Sequence, residues 1–124
     1  MEKHPVNLDL LHFKFPITAI LSIGHRIAGV LMFLLLPLAL WMLGESLRSA
    51  DDFDRLVLGL QQCFILQALV WVLLSATWFH LLAGVRHLCM DCGWGETFQM
   101  GSCTARLVFV LFAIGCIGLG VWIW

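Results

Sequence analysis

Three stretches without a charged side chain, Ile27 to Gly44, Leu56 to Phe79 and Leu107 to Trp124, constrain this chain more than any other feature. Each is near or above the ~18–20 residues that carry an α-helix across a bilayer. Lipid offers backbone amides no water, and a helix satisfies all of them within one segment. The pattern predicts an all-α membrane protein with three transmembrane helices, at roughly residues 20–44, 56–90 and 104–124. The connections left over are too short for a soluble catalytic domain, so residues 1–124 read as one membrane-anchor domain. Charged residues make up 12% of the chain, about half the share in an average soluble domain, which excludes an ordinary soluble enzyme.

The first span does not read as a cleavable signal, because Lys3, Lys14 and Arg26 precede it and no small-x-small pattern follows. Glu2 and Asp9 argue against a mitochondrial presequence, so a bacterial inner membrane is expected. Arg86 and Arg106 flank the second connection, whereas the first sets Arg48 and Arg55 against Glu45, Asp51, Asp52 and Asp54. The positive-inside rule then places the N-terminus and the second connection in the cytoplasm and the C-terminus in the periplasm.

Between the spans, Glu45 to Arg55 reads as a short, solvated acidic turn and Gly93 to Thr104 as a glycine-punctuated cytoplasmic turn. Met1 to Pro16 reads either as a surface-lying segment, through Leu8, Leu10, Leu11, Phe13 and Phe15, or as a loosely ordered tail. Pro37 is expected to bend the first span. Gln61, Gln62 and Gln67 are expected to bond to neighbouring helices. Gly115, Gly118 and Gly120 suit tight contact by the last helix, and Trp122 and Trp124 suit an outer aromatic belt. Cys63 and Cys116 are expected to pack as small apolar residues within spans. Cys89 and Cys92 form one C-x-x-C, without the second pair that a zinc site needs, and read as reduced thiols.

Ionisable residues inside a membrane segment are costly and face a bundle interior or a cofactor. Two clusters of them meet at the cytoplasmic half. At about 100° per residue, His80, Gly84, His87 and Asp91 fall on one stripe at the end of the second span. Ser22, His25, Arg26 and Gly29 share a face of the first span. A buried histidine can be a satisfied structural residue, a proton carrier or an iron ligand. With a glycine one turn from His80 there is room for a flat macrocycle, and the stripe reads as facing a b-type haem. His80 and His87 lie roughly 10 Å apart along one helix face and cannot bind opposite faces of one haem. A second axial ligand would come from His25 or from a partner chain. Ser22, His25 and Arg26 together suit a carbonyl- or carboxylate-bearing ligand at the interface.

Two motifs, Ser-x-x-His-Arg at Ser22, His25 and Arg26 and His-x-x-x-Gly-x-Arg-His-Leu-x-x-Asp-x-Gly from His80 to Gly93, resemble those of the succinate dehydrogenase cytochrome b membrane anchors. Pro5-Val6-Asn7-Leu8-Asp9-Leu10 and Phe15-Pro16-Ile17-Thr18-Ala19-Ile20 are similar to that family as well, so the resemblance covers essentially the whole chain. Two positions depart from the pattern: His4 stands where arginine is usual, and Ala28 where serine or threonine is usual. The resemblance implies a heteromeric helix bundle around haem b, in an enzyme of the tricarboxylic acid cycle and electron transport. Its partners would be a flavoprotein with FAD, a protein with iron–sulfur clusters and a second small anchor. It further implies that His80 is this chain's axial ligand and that the second anchor supplies the other. By the same match, Ser22 and Arg26 bind ubiquinone, His25 and Arg26 lie by the haem propionates, and Asp91 assists proton delivery. A fumarate reductase anchor, a haem-free structural anchor and a His80–His87–Asp91 proton relay are the competing readings.

Overall fold

The computed structural model describes residues 15–95 and 97–124, which form four α-helices. These are α1 (Ile17–Ser46), α2 (Ala50–Gln62), α3 (Phe64–Asp91) and α4 (Phe98–Ile123). The helices α1, α3 and α4 are long and apolar enough to cross a membrane. The expectations for residues 1–14, including His4 and the segment from Pro5 to Leu10, lie outside the described residues.

Helix α3 is the middle element, packed on α1 along one side and on α4 along the other. Small side chains let the backbones approach: Ala28 of α1, Ala76 and Ala83 of α3 and Ala105 of α4 are buried together with Leu21, Phe79 and Val108. Phe79 is the aromatic hub, 4.8 Å edge-on from Phe112 and 5.8 Å from Phe109, with Gly24 of α1 open against its ring. Around this narrow core most large apolar side chains point outward, Phe33, Leu34, Ile65 and Ile117 among them. In water that pattern would be untenable; facing lipid or a partner helix it is ordinary.

The first connection is not the solvated turn read from its charges. Ser49 caps α2, accepting from the Asp52 amide at 3.1 Å and donating to the Asp52 carboxylate at 2.7 Å. Asp51 and Asp52 fill the first turn, where the helix dipole favours anions. Arg48–Glu45 and Arg55–Asp52 pairs hold further charge locally. The acidic residues thus start a helix. Thirteen residues make roughly 20 Å, too short to span a bilayer.

The helix of the second span begins at Phe64 rather than Leu56, because the chain breaks at Cys63 (φ −117°, ψ 99°). Leu56 to Gln62 belongs to α2. Cys63 is therefore exposed at a corner, whereas Cys116 is half-buried within α4, and all five cysteines are free. Gln67 is buried and donates to the Ile123 carbonyl at 3.3 Å, while Gln61 and Gln62 are exposed.

The second connection is also shorter than the sequence reading. The Trp94 amide donates to the Cys89 carbonyl and Gly93 N–H to Met90, closing α3 with Gly93 at φ +82°. Thr97 then caps α4 through the Met100 amide, so Phe98 to Thr104 is helix. Pro37 is accommodated within α1 without ending it. Gly115 receives the Trp78 indole, Gly120 lies beside that of Trp71, and Gly118 meets nothing within 4 Å.

Candidate functional site

The N-terminal part of α1, the C-terminal part of α3 and the first turns of α4 meet at one end of the bundle, where Thr18, Arg86 and Gly101 adjoin. Both ionisable clusters lie at this end. Their centre is three imidazoles: the His25 ring stacks on His80 at 4.0 Å and 18°, and His87 is tilted against His25 at 5.3 Å. All three are half-buried.

His80 Nδ1 lies 3.1 Å from the backbone carbonyl of His25. A carbonyl oxygen only accepts, so Nδ1 carries the proton and donates. The neutral ring then keeps its lone pair on Nε2, the form in which a histidine binds a metal. Among the described residues His80 Nε2 has no hydrogen-bond partner. A metal bond to imidazole lies in the ring plane, so His25 stacked on the ring face does not obstruct it. The same stacking leaves no space for a macrocycle between the two rings.

Gly84 differs from its reading as room for a macrocycle. An added Cβ at Gly84 would sit 3.4 Å from His25 Nε2, so its open side takes the His25 ring. Gly29 lies against His80 itself, 3.2 Å from an added Cβ to Cε1. His25 Nε2 is buried with no partner among the described residues, a desolvated group costing about 1–3 kcal/mol until something bonds to it.

Ser22 is half-buried and Arg26 exposed, and neither bonds to another described residue. Asp91 is exposed at the last residue of α3. The structure thus gathers His25, His80 and His87 into contact and leaves Ser22, Arg26 and Asp91 around them with polar atoms open.

Two polar residues carry more than the sequence reading gave them. Arg86 is buried, donating from Nε to Thr104 Oγ1 at 3.0 Å and from Nη2 to the Gly101 carbonyl at 2.9 Å. It ties α3 to α4. Ser75 lines an apolar cavity of about 350 Å³ among Phe79, Phe109, Phe112 and Trp71, with its hydroxyl unpartnered. None of the candidate site residues lines that cavity.

Fold and site together define a multi-pass helical membrane protein that presents a histidine-centred face at one end of its bundle. Residues 1–120 match the succinate dehydrogenase/fumarate reductase transmembrane subunit family. Several relatives bear the name succinate dehydrogenase cytochrome b556 subunit, among them those of three bacteria. That of Coxiella burnetii is 48% identical over 122 residues, covering 98% of each chain. That of Rickettsia conorii is 30% identical, covering 98% of this chain and 91% of its own. That of Paracoccus denitrificans is 35% identical, covering 73% and 69%. The chain belongs to the family of membrane subunits of the succinate dehydrogenase and fumarate reductase oxidoreductases, among its succinate dehydrogenase cytochrome b members.

Proposed function

We propose that this chain is the cytochrome b anchor of a succinate dehydrogenase in a bacterial inner membrane, with a cytoplasmic N-terminus and a periplasmic C-terminus. It binds no succinate itself. It holds the flavoprotein, with its FAD, and the iron–sulfur protein at the membrane, shares haem b with a second small anchor, and forms part of the ubiquinone site.

The observation that carries this reading is the hydrogen bond of His80, whose Nδ1 lies 3.1 Å from the His25 carbonyl. Its Nδ1–H is tethered to the His25 carbonyl, which leaves Nε2 to an acceptor of lone pairs. The unpartnered Nε2 of His25 beside it fits a polar group of the same ligand, such as a propionate. His80 would hold the iron, His25 and Arg26 the propionates, and the second anchor would supply the opposite histidine. Bound there, the haem supplies a one-electron carrier within the membrane.

For the quinone, the Ser22 hydroxyl is suited to donate to a carbonyl oxygen. Arg26 is suited to stabilise the negative charge that builds on that oxygen as electrons arrive. Asp91, at the exposed end of α3, would pass protons in from the aqueous side. A fumarate reductase anchor would use the same parts in reverse, and the names of the relatives favour the succinate direction.

The test is a dithionite-reduced minus oxidised spectrum of the purified complex, wild type beside His80→Leu. A b-type signal that is lost or altered in the variant is expected. An intact, succinate-active complex without that signal would make the chain a haem-free structural anchor.

A further inference from the structure

We infer that Gly29 is a positioning residue, opening the His25 carbonyl to His80 and so setting the tautomer and plane of that imidazole. The inference rests on the reading of His80 as an iron ligand.

Within a helix the carbonyl of each residue accepts from the amide four residues on, so the His25 carbonyl already serves Gly29. Its second lone pair takes His80 Nδ1–H, at 3.1 Å. Any side chain at position 29 would stand beside that oxygen, in the path of the incoming ring. An added Cβ there lies 3.2 Å from His80 Cε1 and 3.5 Å from Nδ1. Cε1 joins the two ring nitrogens, so the intrusion bears on the hydrogen-bonded edge itself.

The ring has little room to retreat. Its face is stacked on His25 at 4.0 Å, and its tether is a carbonyl of the same helix that carries the intruding atom. His80 must tilt or release the bond. Tilting redirects Nε2. Release removes a hydrogen bond that makes the imidazole a stronger donor to a ferric ion, and the reduced state gains relative stability.

Gly24 is the internal comparison. An added Cβ there meets Phe79 Cε1 at 2.9 Å, a tighter intrusion in the same α1–α3 seam, with no His80 atom among its neighbours. An effect that came only from parting the helices would appear with either substitution. A change in the iron ligand follows only from Gly29.

The experiment uses intact complexes of wild type, Gly29→Ala and Gly24→Ala, with the ferric low-spin EPR spectrum and a redox titration of the b-type signal as readouts. Gly29→Ala is expected to shift the highest g value and raise the midpoint potential, with Gly24→Ala at wild-type values. No shift in Gly29→Ala, or equal shifts in both, overturns the inference.

A second measurement avoids position 29. In His80→Gly complexes, the missing ring is replaced by imidazole or by 1-methylimidazole, which has no N–H to donate. A higher potential with 1-methylimidazole is expected, and equal potentials overturn the role of the carbonyl bond. A b-type signal unaffected by His80→Leu would instead remove the ligand reading, and the inference with it.

Discussion

Ser22 and Arg26 are one helical turn apart, and each has donors that no described residue uses. A carbonyl-bearing substrate at that face would take a neutral hydrogen bond from one and a charge-assisted bond from the other. The second is the stronger, by roughly a factor of two. Ser22→Ala is therefore expected to lower ubiquinone reduction about tenfold, and Arg26→Leu by roughly 10²-fold if its cation meets developing charge. Succinate oxidation with an artificial acceptor is expected to continue in both variants, since on the proposed function that chemistry belongs to the flavoprotein. Full ubiquinone turnover in both would remove them from the site. The stripe from His80 to Asp91 was legible because the turn angle of a helix depends on spacing alone. What His80 touches was not, because the contact with His25 depends on how far α3 slides along α1. The partners of Arg86 were not legible for a similar reason: Gly101 and Thr104 lie in a stretch read as a turn.

At the scale of elements, the departures trace to helix starts. Ser49 with Asp52, and Thr97 before Phe98, are N-cap signals present in the sequence. In one case acidic charge, and in the other glycines, made the flanking residues read as turns. The break at Cys63 left no such signal, since Gln61 and Gln62 sit in an otherwise apolar run. The glycines of α4 were legible as small residues but not in their division of labour. Trp78 fills the space over Gly115 and donates its indole N–H to the Leu111 carbonyl at 3.0 Å, joining α3 to α4. Gly115→Ala is expected to displace the indole and cost about 1–3 kcal/mol, the usual range for overpacking. Gly118→Ala, with open space around it, is expected to be neutral or stabilising by up to about 1 kcal/mol through helix propensity. Thermal unfolding of the detergent-solubilised complex checks both, and equal midpoints for the two variants would contradict the contact.

Across the whole molecule, the bundle has two chemically different ends. One gathers Arg26, Arg86 and Arg106 near the imidazole cluster; the other carries α2, with Asp51, Asp52 and Asp54 against Arg55. Any orientation must put these ends on opposite sides of the membrane, and the proposed one, drawn from the basic bias, would put the imidazole end in the cytoplasm. On the proposed function, that side is also where an iron–sulfur protein would dock to pass electrons to a quinone beside Ser22 and Arg26. The exposed cysteines make the assignment measurable: Cys63 marks the α2 end, and Cys89 and Cys92 mark the imidazole end. With the other cysteines replaced by serine, a chain retaining Cys63 is expected to react with a membrane-impermeant maleimide in intact cells whose outer membrane is permeabilised. One retaining Cys89 is expected to react only in inverted vesicles stripped of the soluble subunits. The opposite pattern would turn the bundle over, and with it would move the quinone face to the periplasm, away from any cytoplasmic source of electrons.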